Sequence, residues 1–414
     1  MVLPSKSLLF DFFLLQSVTE PLEELPSAVA KVLPSATRLP MTLSEIKESL
    51  KHMVPVVTSA PSLLIINDAH RATPSPIILD ILLKIPDHQI KAIAIATGSH
   101  TPPSKAELMS LLNGINLNGI ELIIHDGHLQ EESYRNLGVT SRGTRVLVNP
   151  RLFDFEKIIC INSVEPHYFA GFTGGIKSLI PGLASVKTIE KNHSWALSKD
   201  SGPTITEGNP LFEDLWECGS LIPDLDLFGI QLVNIHEKIF GVFSGSLLES
   251  FRHAETLSRT IFTHQIPEKF DMVIAHVVGP ISRSLYQAQK GLENTRQAVK
   301  KGGVMVLLAE CPKGIGNTAF FETIKKFSHP SEVVSSLKRE TYRFGDHKAA
   351  KFASLAMATN LYICSSLSEK ETNQVFASKI SLQELREMID DYVSSNRSVL
   401  YVYDAGNMVV TPQQ

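Results

Sequence analysis

The chain has 414 residues, 43% hydrophobic and 20% charged, with 39 Lys and Arg against 43 Asp and Glu. A net charge of −4 offers no basic field to nucleic acid or an anionic membrane. A size prior of about 150 residues per domain suggests two or three domains, each able to bury a core. The longest apolar run near the start, Leu8 to Leu15, is broken by Asp11 and is too short to span a bilayer. Neither a basic n-region nor a small-residue cleavage site marks a secretory signal. A cytoplasmic protein with no nucleic-acid or membrane partner is expected. The four cysteines (Cys160, Cys218, Cys311, Cys364) lie far apart without a Cys-x-x-Cys pair, which excludes a zinc ribbon or a short-range disulfide framework.

In chain order, Ser62 to Ile66 reads as a buried strand ending at Asn67-Asp68, and Pro76 to Lys84 has helical spacing. Gln89 to Ala96 is a second strand running into Thr97-Gly98-Ser99-His100. Ser104 and Glu107 form a capping box for a helix through Leu112. Ile120 to Ile124 is a third strand, ending at His125-Asp126. Repeated β–loop–α units imply a mostly parallel sheet whose strand C-terminal ends collect ligand-binding residues. Asp68, His100 and His125 occupy such ends.

A helix over Leu248 to Thr263 leads to a fresh strand, Asp271 to Val278, then a helix over Ser284 to Val299. A turn at Lys301-Gly302-Gly303 and a strand over Val304 to Ala309 follow. Ser381 with Glu384 caps a helix to Tyr392, and Val399 to Tyr403 is the closing strand. The pattern is α/β in two domains, residues 1–265 and 266–414, each with a mostly parallel sheet flanked by helices and with the active site in the cleft between them.

The densest chemistry lies from Glu165 to His193, which holds two histidines, three lysines and four glycines. Gly171, Gly174 and Gly175 let backbone approach a ligand closely and expose N–H groups to it. The spacing of Gly171, Lys177 and Ser178 approaches a phosphate loop, but Ile176 stands where its second glycine is required. No strand with a terminal Asp follows to hold Mg²⁺. An ATPase or phosphate-loop ligand binder is therefore a weak alternative, and a non-catalytic sensor on the same fold is another. His125 and His128 are three apart but lack a third ligand, and nothing beside Cys311 activates it.

Several spaced elements together resemble the nickel-pincer-dependent 2-hydroxyacid racemases, the lactate racemase family. Asp68-Ala-His-Arg71-Ala-Thr-Pro74 matches an Asp-x-x-Arg-x-x-Pro element, and Gly98-Ser99-His100 matches Gly-[ST]-His. Pro166 to Lys177 matches Pro-His-x-x-Ala-Gly-x-[ST]-Gly-Gly-x-Lys, with His193 following sixteen positions after Lys177. Tyr286-Gln287-Ala288-Gln289-Lys290 matches Tyr-Gln-x-x-Lys, and Gly302 to Gly316 and Gly345-Asp346-His347-Lys348 are also similar. The likeness runs from about residue 60 to about 350. Ile176 departs from it, replacing a common Arg, and the approach to Tyr286 lacks a Gly-x-Pro-x-Asp pattern.

The resemblance implies an isomerase that racemises or epimerises a 2-hydroxy acid by hydride transfer through a 2-oxo acid. Its cofactor would be nickel in a pyridinium-3,5-bisthiocarboxylic acid mononucleotide pincer, supplied by cofactor-synthesis machinery. Lys177 would carry the covalent tether and His193 would ligate the metal, imidazole and square-planar geometry both suiting Ni²⁺. His100 and His167 would be the paired acid and base, since imidazole takes and returns protons near neutrality. Arg71 would clamp a carboxylate or phosphate and Asp68 would orient a hydroxyl. Tyr286, Gln287 and Lys290 would reach the substrate across the cleft. The bland alternatives are a phosphate-binding Lys177, loop histidines satisfied by backbone, an exposed Asp68–Arg71 ion pair and a solvated helix face carrying Gln287 and Lys290.

Overall fold

The computed structural model describes residues 25–34, 39–223 and 225–413; the apolar run Leu8 to Leu15 lies outside them. Two six-stranded sheets organise the molecule. The first runs in the order Lys238–Ser246, Asp226–Ile235, Lys157–Ser163, Ser62–Asn67, Ile90–Ala96, Glu121–Ile124. It is parallel apart from the hairpin formed by its first two strands. The second runs Ala30–Val32, Val399–Val402, Phe270–His276, Val299–Leu308, Asn360–Cys364, Ser378–Lys379, and all its pairs are parallel.

Both faces of the first sheet are covered, which is why its central strands read as unbroken apolar runs. Leu63 and Ile65 face a cluster containing Leu179, Leu183 and Leu215, while Leu64 and Ile66 face one containing Ile78, Leu79 and Leu82. Cys160 belongs to the first of these clusters, as a small hydrophobe would, and all four cysteines are free and buried. The helices begin where capping chemistry marked them. Ser104 Oγ accepts the Glu107 N–H at 3.3 Å and the Glu107 carboxylate accepts the Ser104 N–H at 2.8 Å, opening the helix Lys105–Leu112. Ser381 and Glu384 repeat the arrangement before Leu382–Ser394.

Two sequence expectations are corrected here. Lys301-Gly302-Gly303 is not a turn between elements, because Val299–Leu308 is one strand. Its register jumps from Val299 opposite Phe270 to Val304 opposite Met272, so the intervening residues bulge without ending the ladder. The second correction concerns Ala30–Val32, assigned by sequence to the first domain. This strand pairs with Leu400–Val402 on the edge of the second sheet. No apolar period in so short a strand could have revealed its partner.

The first sheet's strand order reverses between Ser62–Asn67 and Lys157–Ser163, and the loops leaving these two strands carry Asp68 and His167. That is where an open parallel sheet makes its binding crevice. The helix Val186–His193 reaches the same place, capped by Ser185, whose hydroxyl accepts the Thr188 N–H. Its far end is pinned by a fully buried carboxylate. Asp214 accepts hydrogen bonds from Thr140 Oγ1 at 2.6 Å, Thr144 Oγ1 at 2.7 Å and Asn192 Nδ2 at 2.8 Å. Asp214→Ala strands three buried donors and should cost roughly 3–5 kcal/mol in urea unfolding. A loss below about 1 kcal/mol would show that this network does not hold the helix end.

Candidate active site in the interdomain cleft

A cavity of about 240 Å³ opens between the two sheets' loops. Asp68, Arg71, His100, His167, Lys177 and His193 line it from the first sheet's side. Tyr286, Gln287 and Lys290 line it from the helix Leu285–Thr295, as the Tyr-Gln-x-x-Lys spacing led one to expect. Gly174 also lines it, whereas Gly171 and Gly175 do not. The glycines are demanded by packing instead. At Gly174 (φ +85°) a Cβ would sit 2.5 Å from Val164 Cγ2, and at Gly171 (φ +68°) 2.5 Å from the Ile205 carbonyl oxygen.

The two candidate acid–base histidines differ in surroundings. His100 Nδ1 lies 2.6 Å from Asp68 Oδ2 and its ring is about one-third exposed. Burial works to raise the Asp68 carboxyl, but the hydrogen bond and charge of His100 outweigh it and hold it below its ordinary value. With Nδ1–H donated to that carboxylate, the free Nε2 is a proton acceptor. His167 is buried, and its protonated form is strongly disfavoured, first by that burial and then by the charges of Lys177, Arg71 and Lys290. The Ala170 N–H meets His167 Nδ1 at 3.4 Å, too long to fix the tautomer of the neutral ring.

Lys177 stands in a single 3₁₀ turn, Gly175–Ser178, rather than at the head of an α-helix. Ser178 Oγ donates to buried Asn162 Oδ1. Burial, then the charges of Arg71 and Lys290, push the Lys177 ammonium well below its usual range. His193 is held at about 3 by burial and the nearby Lys177 charge. Its Nδ1 is buried without an ordinary hydrogen-bond partner, and only the Ile189 backbone works toward protonation. An amine whose charged form is disfavoured and a neutral imidazole with an unpartnered nitrogen therefore belong to one cavity. That donor set fits a group bound through lysine and ligated once by histidine.

Lys290 has its ammonium lowered to about 7 by burial and by Arg71, with Glu165 opposing. Arg71 meets Glu165 at 3.6 Å, too far for a strong hydrogen bond. The Gln287 Oε1 atom is buried and unpartnered. Sequence reasoning assigned no role to His347, yet it lies at the cavity's base between two tyrosines. Tyr168 Oη is 2.8 Å from Nε2 and Tyr342 Oη is 2.7 Å from Nδ1. One phenol donates and the other accepts, so the ring stays neutral and fixed. Lys348, also unassigned, stacks 3.7 Å over Tyr286 and donates to the Tyr286 carbonyl. The Gly-Asp-His-Lys segment was the only signal for both.

The remaining candidates are structural. His125 Nε2 is bonded to the Ala184 carbonyl at 3.0 Å and His128 Nε2 to the Ser99 carbonyl at 3.1 Å. Burial pushes the Cys311 thiol up to about 12, far from a nucleophile. Among the described residues, Asp68, His70 and His100 form the one group of three whose ligand atoms all lie within 4.8 Å of each other.

Comparison with known sequences decides the family. The profile of the lactate racemase N-terminal domain matches residues 19–204, and that of the lactate racemase C-terminal domain matches residues 266–361. The chain belongs to the lactate racemase family. It is 27% identical over 303 residues to the lactate racemase of Thermoanaerobacterium thermosaccharolyticum, covering 71% of this chain and 68% of that one. To the lactate racemase of Lactiplantibacillus plantarum it is 28% identical over 292 residues, 68% of this chain and 66% of the other. The fold matches the lactate racemase apoprotein from T. thermosaccharolyticum with a TM-score of 0.81 at 23% identity, over 93% of this chain and 94% of that one. A protein from Thermotoga maritima matches with a TM-score of 0.74 at 18% identity, over 92% and 100%.

The electrostatics of this lactate racemase family member carry a pH dependence. The Lys290 ammonium is present below about 7 and lost above it, so carboxylate binding should weaken as pH rises. Calorimetric affinity for a 2-hydroxy acid should fall roughly tenfold or more between about pH 6 and pH 9. Lys290→Met should flatten that profile; an unchanged slope in the variant means another group titrates.

Proposed function

We propose that the protein is a racemase or epimerase of a 2-hydroxy acid, working by hydride transfer with a nickel-pincer nucleotide tethered to Lys177 and ligated by His193. The observation that carries this reading is the convergence of Lys177, His193, His100 and His167 on one cavity. The depressed Lys177 ammonium favours the neutral amine needed for an acyl-type tether. His193, neutral and with an unpartnered nitrogen, is ready to ligate. When bound, the group supplies a reversible acceptor for the α-hydride, so the reacting carbon passes through a planar 2-oxo acid.

The chain's own residues do the rest. Arg71 and Lys290 hold the substrate carboxylate, and Gln287 offers its unpartnered Oε1 to a substrate hydroxyl. His100, oriented by Asp68, takes the hydroxyl proton of one stereoisomer at Nε2; His167 serves the other. Hydride loss is preferred to α-proton loss because the hydrogen beside an ionised carboxylate is barely acidic. Tyr168 and His347 close the base of the cavity and exclude water from the reacting carbon. The free, buried cysteines suit a reducing compartment.

Two variants separate the cofactor roles. Lys177→Ala should abolish the covalent mass adduct, whereas His193→Ala should keep that adduct and lose nickel by metal analysis. An adduct persisting on the Lys177 variant, or nickel retained by the His193 variant, reassigns the respective role. For the acid–base pair, His100→Ala and His167→Ala should each lower steady-state turnover about 10²–10⁴-fold. In single turnover the two should oxidise opposite enantiomers. Equal oxidation of the same enantiomer by both would sink the two-sided model.

A further inference from the structure

Behind the cleft lies a second cavity, of about 60 Å³, that the proposed chemistry leaves unused. It shares Arg71, His167, Tyr168 and Lys290 with the large cavity, so these side chains form a common wall. Its far side mixes the apolar Val278, Pro280 and Ile281 with polar groups. Glu165 and His236 come from the loops of the first sheet, Asp404 and Asn407 from the loop after Val399–Val402 of the second. Among the described residues the Glu165 carboxylate forms one ion pair, with the Arg71 guanidinium at 3.6 Å. Asp404 is 2% exposed, at φ +52°, and its carboxyl receives the Asn407 amide at 3.1 and 3.3 Å. Burial pushes that carboxyl up to about 7 against the Asn407 hydrogen bond, with the Glu165 charge adding to the rise.

The reacting carbon of a 2-hydroxy acid has four substituents, and the roles proposed above assign three of them. Its hydrogen would point to the Lys177–His193 end, its hydroxyl to the histidines, and its carboxylate to Arg71 and Lys290 on the common wall. The small cavity beyond that wall is left for the fourth. A methyl group there would make no hydrogen bond to Glu165, Asp404 or Asn407. A second carboxylate would meet the charge of Glu165. Hydroxyl groups suit the site, donating to those carboxyls and accepting from the Asn407 amide or His236. The volume holds about four water-sized groups, the size of two carbons each bearing a hydroxyl.

We propose that the substrate is a short polyhydroxy 2-hydroxy acid, an aldonic acid with hydroxyls on C3 and C4, whose tail fills the cavity between Glu165, His236, Asp404 and Asn407. This rests on the racemase reading, and with a second stereocentre present the reaction becomes epimerisation at C2.

The test uses protein from a host that synthesises the cofactor, with the Lys177 adduct verified by mass. It is given 2,3,4-trihydroxybutanoate, lactate and malate, and the C2 stereoisomers are separated by chromatography. The kcat/KM for the trihydroxy acid should exceed the other two at least about tenfold, and Asn407→Leu should lower that ratio by about tenfold. His236→Leu, on a half-buried loop, provides a second variant should the first fail to fold. Preference for lactate or malate overturns the polyol tail and leaves the racemase reading intact. If loaded protein turns over no 2-hydroxy acid, the racemase reading falls and calorimetry decides the pocket. Trihydroxybutanoate binding at least about tenfold tighter than lactate, with that margin lost in His236→Leu, upholds it. Equal or weaker binding overturns it.

Discussion

Four cationic side chains, Arg71, Lys177, Lys290 and Lys348, line one crevice with too little negative charge to match them. Asp68 is engaged with His100, and Glu165 stands 3.6 Å from Arg71. Taking positive charge out of water without a partner is expensive, and proteins answer either by releasing the proton or by binding an anion. Both answers are visible. The three lysines have their ammonium forms disfavoured, while the guanidinium cannot lose its proton and remains charged. A crevice so charged favours an anionic occupant, and the histidines inherit their neutrality from the same crowding.

This makes the two candidate acid–base histidines, His100 and His167, unequal by construction. His100 has a carboxylate behind it and solvent at its edge; His167 has cations around it and no counter-charge. An enzyme that handles mirror-image substrates needs equal overall rates at equilibrium, and that is set by the substrates, not by matching its two bases. Unlike environments are therefore compatible with symmetric chemistry. They place the fastest proton exchange with solvent on the His100 side.

Much of this was legible in the chain itself because the site is written in short local signals. Asp68 and His100 lie just past strand ends, so an apolar run followed by polar residues was enough to place them, whereas His167 was reached through the Pro166–Lys177 resemblance. The capping boxes at Ser104 and Ser381 located the starts of two helices to the residue. What escaped depended on long-range pairing. Ala30–Val32 finds its partner 370 residues away, and nothing local records that. The bulge at Lys300–Gly303 has turn composition, but Val299 before it and Val304 after it both pair with the strand Phe270–His276. The glycines of the 171–175 loop carried a correct signal of unusual backbone. The cause was neighbouring side chains and carbonyls, not a ligand, at two of the three positions. His347 and the small cavity behind Arg71 draw residues from both sheets, and only the assembled cleft joins them.

The chain begins its described course in the second sheet, at Ala30–Val32, and by Met41 it is bonded to the first, through the Ile239 carbonyl. It returns after the helix Leu247–Phe262. Two covalent segments therefore span the cleft where a simple tandem arrangement would have one. A body tethered at one point swings about any axis through it, but a body tethered at two turns only about the line joining them. Two crossings limit the relative rotation of the two halves more than one would. The facing of Lys290 and Gln287 toward Lys177 and His193 is thereby constrained by chain connectivity as well as by packing.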